Sequence, residues 1–196
     1  MDYWELTTCW NYFLSLDRDL NETARYIEPE SQENTFSFEF YKIIMLGCAE
    51  IETAFKQVCK AIDSSKKSGS IDKYKEMILS RYPKIEDCEV VVRRWHSRAI
   101  RPFEGWSQGP LFWWNAYQDL KHNRHMKLNV ATYKNAAYTL AALYVLILYL
   151  YRISDQTCKA DDSLCFWSSY NPEPFYVRQS NYLPDFADNE KDEMST

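Results

Sequence analysis

A chain of 196 residues is long enough for one domain with a full core and short for two. Its residues are 46% apolar and 16% aromatic, with only 4 glycines and 7 prolines, which disfavours a many-stranded β fold and favours long helices. A formal net charge of -5 excludes a generally basic nucleic-acid coat and leaves room only for a local basic patch.

From Trp4 to Ile27 apolar residues recur at helical spacing (Leu6, Trp10, Phe13, Leu16, Leu20), with Asp17, Arg18, Asp19 and Glu22 on the other side. This predicts an amphipathic helix ended by Pro29 and followed by a polar loop, 30–35. A second helix is predicted from about Ser37 to Asp63, with a stripe of Phe40, Ile44, Gly47, Ile51, Phe55, Val58 and Ile62. Gly47 costs about 1 kcal/mol of helix propensity against alanine, which close approach of a neighbouring helix would offset. Glu50 and Glu52 stand two apart and do not face each other on a helix, so they read as flanking residues rather than a catalytic pair. Ser70 is placed to cap a short third helix that stops before Pro83. Val90-Val91-Val92 is either an extended piece or a helix start. Arg93, Arg94, His96, Arg98 and Arg101 form the most basic part of the chain, read as a solvated face or an anion site.

Gly109-Pro110 opens a helix running Trp113-Trp114-Asn115-Ala116-Tyr117-Gln118-Asp119-Leu120-Lys121-His122-Asn123-Arg124-His125, with a break near Leu128-Asn129. Thr132 caps a last helix to about Ile153, whose segment from Ala136 to Tyr151 carries no charge. A membrane span needs about 20 apolar residues. Lys134, Arg152, Thr139 and four tyrosines instead suit a central core helix. Residues 154–184 alternate sticky and proline-containing pieces and are expected to wrap the helices irregularly; 185–196 are acidic, polar and expected to be disordered.

The six cysteines, Cys9, Cys48, Cys59, Cys88, Cys158 and Cys165, make no Cys-x-x-Cys pair and no zinc spacing, so they read as free, reduced thiols of a cytoplasmic protein. The N-terminus lacks the basic start and apolar run of a signal peptide.

Asn115, Asp119 and His122 fall on one helical face; Gln118, Lys121 and His125 form the adjacent strip. An aspartate near a histidine can orient the ring for acid or base work, and Lys121 and Arg124 can hold a phosphate. Such a set could cleave RNA without metal. The bland alternative is a solvated helix end whose Asn115 and His122 hydrogen-bond within a bundle. His122 and His125 could also share a metal, but no carboxylate or cysteine completes a site, and none is expected.

Two long helices, the pattern Trp113-Trp114-Asn115-x-Tyr117-x-x-x-Lys121-His122-x-Arg124, and an alanine- and leucine-rich terminal helix together resemble bacterial proteins of the HEPN class over residues 4–153. The resemblance implies a compact helical bundle. It also implies metal-independent ribonuclease chemistry in defence or stress responses, and a homodimer with two motifs facing one cleft. His122 carries over as the motif histidine. The motif arginine does not, because Asn115 occupies its position. The resulting expectation is an all-α, single up-and-down bundle of about five helices with an irregular aromatic-rich tail. Its site would be catalytic His122, Asn115 and Asp119 with phosphate-binding Lys121, Arg124 and His125. The expected partners are RNA, a second copy and a protein encoded nearby, with no cofactor and no membrane. The competing expectation is a non-catalytic helical module for dimerisation or protein binding.

Overall fold

In the computed structural model the described residues are 3–65, 69–92, 95–157 and 175–177, with backbone alone at 3, 4, 155–157 and 175–177. Among them five α-helices dominate: α1 (Tyr3–Thr23), α2 (Phe38–Ile62), α3 (Ile71–Arg81), α4 (Phe112–Lys127) and α5 (Tyr133–Thr157). Short 3-10 turns, Pro83–Asp87 and Leu128–Val130, follow α3 and α4. The expected helical bundle is what forms.

Local chemistry sets the helix ends. Ser37 Oγ accepts the Phe40 N–H at 3.1 Å and starts α2; the Asp63 N–H closes it on the Cys59 carbonyl. Ser70 caps α3 through the Lys73 N–H, and Thr132 Oγ1 accepts the Asn135 N–H at 3.2 Å at the start of α5. Each such cap stabilises its helix by about 1 kcal/mol.

The centre is α5. Ala136, Ala137, Leu140, Ala141, Ala142, Val145, Leu146 and Tyr149 are fully buried. The stretch Tyr133–Ser154 is long and apolar enough to cross a membrane, yet 72% of an 18-residue apolar window within it is buried inside the bundle. Its apolar surface is used by α1, α2 and α4, with α2 making the most extensive contact. Gly47 is the point of closest approach: a Cβ there would stand 2.8 Å from Thr139 Cγ2.

Val90–Val92 takes the extended alternative. This strand, β1, is buried and lies between β2 (Arg98–Ile100) and β3 (Phe175–Val177), antiparallel to both. Three β-branched residues in a row fit a pleated, buried position better than a helix start. Within the tail, residues 175–177 pair with the free edge of β1 as a three-residue strand, and α5 runs past Ile153 to Thr157. The rest of 158–184 and the acidic segment 185–196 lie outside the described residues.

The basic segment is neutralised where described. Arg98 Nη1 meets Glu33 Oε2 at 2.6 Å and lies over the Trp95 ring; Arg101 pairs with Glu89 at 3.6 Å. His96 Nε2 stands 2.8 Å from Glu28 Oε1. These partners favour the solvated-face reading over an anion site; Arg93 and Arg94 lie outside the described residues.

Cys48, Cys59 and Cys88 are buried thiols and Cys9 a half-buried one, none of the four in a disulfide. Burial pushes the Cys48 thiol far above its ordinary range, which suppresses the reactive thiolate. An alkylating reagent is therefore expected to label Cys48, Cys59 and Cys88 only after unfolding. Rapid labelling of any of them in the folded chain, read by peptide mass, would contradict this packing. Cys158 and Cys165 lie outside the described residues.

Candidate functional site

The focal helix α4 is anchored at its start. The Trp113 indole N–H donates to the Pro102 carbonyl at 2.7 Å, and Trp113, Trp114, Ala116, Tyr117 and Leu120 face the core. Its polar residues therefore point outward. At Asn123 the backbone leaves helical geometry (φ -133°, ψ 31°), so residues 124–127 depart from the axis of 112–122. The face drawn by ideal helical spacing does not continue past that kink.

The predicted site residues separate into four places. Asn115 and Lys121, with Gln118, line a cleft between α2, α3 and α4. Lys121 Nζ donates to Tyr117 Oη at 3.2 Å and stands 3.7 Å from Glu52 Oε1; Tyr117 Oη in turn donates to Glu52 Oε1 at 3.1 Å. The hydrogen bond to Tyr117 and the charge of Glu52 hold the Lys121 ammonium above its ordinary range. Lys121 is thus a fixed cation and not a base.

Asp119 turns to Lys127, 3.9 Å away, and no hydrogen bond joins it to His122 among the described residues. This corrects the expectation that Asp119 orients that ring: the outward helix face gives the carboxylate a cation one turn beyond the histidine. Likewise no hydrogen bond joins Asn115 to His122 among the described residues. His122 and His125 are exposed, with no hydrogen bond or ion pair among the described residues.

Arg124 reaches α2 instead. Its Nη1 donates to Tyr41 Oη at 3.2 Å, and its guanidinium lies 5.3 Å from that ring's centroid. Lys121 contacts α2 at Glu52 and Arg124 contacts it at Tyr41. Eleven residues of helix separate those points, about 16 Å along the axis. The two cations expected to share one phosphate are therefore spread along a strip.

Phe36, Phe38 and Tyr41 were not singled out in the sequence. The Ser37 N–H donates to the Ala131 carbonyl and Phe36 is bridged to Thr132, which bring the start of α2 beside the start of α5, and the Arg124–Tyr41 contact ties it to the last turns of α4. Phe36 is 52% exposed, Phe38 70% and Met126 75%. Every residue from Lys121 to Lys127 is exposed. The end of the bundle thus presents exposed Arg124, His125 and Lys127 on α4 and exposed Phe36 and Phe38 at the start of α2. Segments about 85 residues apart carry no local signal of this meeting.

Among the described residues no group of three or more His, Cys, Asp or Glu side chains is placed to hold a metal ion. Comparison with family models, curated proteins and solved structures finds no match.

Proposed function

We propose that this chain is an RNA-directed helical protein that takes up single-stranded RNA on the end of the bundle formed by Phe36–Tyr41 and Lys121–Lys127. The observation that carries the reading is the exposed run Lys121–Lys127, tied to the start of α2 by the Arg124–Tyr41 contact, with Arg124 facing no carboxylate among the described residues and Phe36 and Phe38 exposed at that start. Cations track the phosphates of a single strand, and aromatic faces stack its bases. The net charge of -5 repels polyanions elsewhere, so a local patch of this kind is what contact requires.

Fluorescence anisotropy with a labelled single-stranded 12-mer tests the reading. The double variant Arg124→Gln/Lys127→Gln is expected to weaken binding on the order of tenfold and to flatten the log–log salt slope by about 1.4, two phosphate contacts at about 0.7 each. Phe38→Ala is expected to cost about 1–3 kcal/mol, the loss of one stacking platform. Binding that ignores all three substitutions would remove the proposed face.

The finer reading is a metal-independent endoribonuclease, supported by the exposed ring of His122, which has no hydrogen bond or ion pair among the described residues. His122 would move the proton of a ribose 2'-hydroxyl while Lys121, held protonated, stands beside it as a cation. Among the described residues neither Asn115 nor Asp119 makes a hydrogen bond or ion pair to the ring, so a second copy of the chain would have to supply the orienting group. RNA cleavage that persists in His122→Ala would exclude this reading and leave binding intact. A bacterial defence or stress role, cytoplasmic residence, a homodimer and a partner encoded nearby rest on the resemblance to the HEPN class alone.

A further inference from the structure

The negative charge of this chain is concentrated in one short segment. Residues 185–196 hold five carboxylates, Asp185, Asp188, Glu190, Asp192 and Glu193, and one lysine, a net of -4 against -5 for the whole chain. The opposite holds further upstream. Between Asp119 and Asp155 the sequence has no carboxylate and five cations, Lys121, Arg124, Lys127, Lys134 and Arg152. We propose that the acidic segment 185–193 docks on the exposed run Lys121–Lys127 and competes there with RNA, so that the chain restrains its own binding face. The competition rests on the RNA reading; the contact itself does not.

Charge complementarity selects this occupant. Lys121 stands 3.7 Å from Glu52 and Lys127 3.9 Å from Asp119, and ion pairs of that kind between half-exposed side chains are weak. Arg124 faces no carboxylate among the described residues and spends one N–H on the Tyr41 hydroxyl. Incoming carboxylates therefore gain Arg124 outright and share the two lysines. The other dense basic segment is already matched: Arg98 meets Glu33 at 2.6 Å and Arg101 meets Glu89 at 3.6 Å. Lys42, the cation nearest Tyr41 in the sequence, is held by Glu39 at 2.8 Å and Asp19 at 3.5 Å.

The chain is also long enough. Val177 is fixed on β1 by its pairing with Val90. Glu193 lies 16 residues further on, up to about 53 Å of extended chain, against a breadth of about 40 Å for a bundle of this length. A tether of that length makes the contact intramolecular, at an effective concentration on the order of millimolar. A contact too weak to hold two separate chains together still covers the face for much of the time under those conditions. Coverage for about nine-tenths of the time lowers the apparent RNA affinity about tenfold.

Two measurements on the full chain test the proposal. The first is carbodiimide coupling at micromolar concentration, read by peptide mass spectrometry. Links from 185–193 to Lys121 and Lys127 are expected, at a yield that tenfold dilution leaves unchanged and that falls severalfold between about 0.05 and 0.5 M salt. Arg124→Gln is expected to lower them. The second is anisotropy with the single-stranded 12-mer. Asp185→Asn/Asp188→Asn/Glu190→Gln/Asp192→Asn/Glu193→Gln is expected to bind about tenfold tighter than the parent at about 0.05 M salt. A control that removes the same charge elsewhere, Glu5→Gln/Asp72→Asn/Glu76→Gln/Asp87→Asn/Glu104→Gln, is expected to gain only about twofold, with both circular dichroism spectra unchanged. The proposal is overturned if links to Lys56, Lys60 and Lys75 form as readily as those to α4, or if the links vanish on dilution, which would make them contacts between copies. It is equally overturned if the tail variant binds RNA no tighter than the control. Links confined to Lys121 and Lys127 in a chain that binds no RNA in any variant would remove the RNA face and leave the contact standing.

Discussion

Phe55→Ala is expected to destabilise the folded chain by about 3–5 kcal/mol, the range for deleting a buried phenylalanine from a packed core. Phe55 is fully buried and is the ring on which four others converge: Tyr74 and Trp106 at 5.4 Å, Trp114 at 6.0 Å and Phe103 at 6.3 Å. These rings come from α3, from the turn before α4 and from α4 itself. Removing the hub therefore loosens three segments at once instead of leaving one isolated void. Urea denaturation followed by circular dichroism measures the first effect. A loss below about 1 kcal/mol would mean the rings repack without their hub, against the usual incomplete relaxation of a cavity.

Gly47→Leu carries the second large effect. The α2–α5 contact is the most extensive in the bundle, and at Gly47 it has no room for a side chain. Even a Cβ would meet Thr139 Cγ2 at 2.8 Å and Leu140 Cδ2 at 3.5 Å. Thr139 is fully buried and β-branched, so its methyl cannot swing away freely. Alanine at 47 would gain about 1 kcal/mol of helix propensity and lose about 1–3 kcal/mol to overpacking, a net loss. Leucine adds three more heavy atoms to the same gap and is expected to lose about 3 kcal/mol or more, the upper end of overpacking costs. The cause can be isolated. Thr139→Ser removes the clashing methyl, so Gly47→Ala/Thr139→Ser should be more stable than the sum of the single changes by about 0.5–3 kcal/mol. Additive effects would place the cost of Gly47→Ala elsewhere.

The helices were legible because their signals are local. The stripe through Phe40, Ile44, Gly47, Ile51 and Phe55, the cap serines Ser37 and Ser70, and the capping Thr132 lie within a few residues of what they specify. Gly47 was legible for the same reason: a glycine on an apolar stripe implies a neighbour close by, and that neighbour is α5. The strand Phe175–Val177 was not legible. Its pairing with Val90–Val92 is decided by an open edge about 85 residues away. The site was half legible. Asn115, Lys121, His122 and Arg124 are all on the outer surface of α4, as the pattern implied. Their grouping was not, because ideal helical spacing ignores the break at Asn123 and the pull of Glu52, Tyr41 and Lys127 on individual side chains. Those partners sit on another helix or beyond the kink.

The most direct test of the central claim is to map where RNA lies on the intact chain. Ultraviolet crosslinking of a single-stranded, uridine-containing 12-mer to the full protein, followed by peptide mass spectrometry, reads this without any substitution. The account expects crosslinks within Phe36–Tyr41 and Lys121–Lys127, lost together as salt is raised. Crosslinks confined to other segments, or none above a heat-denatured control, would contradict it.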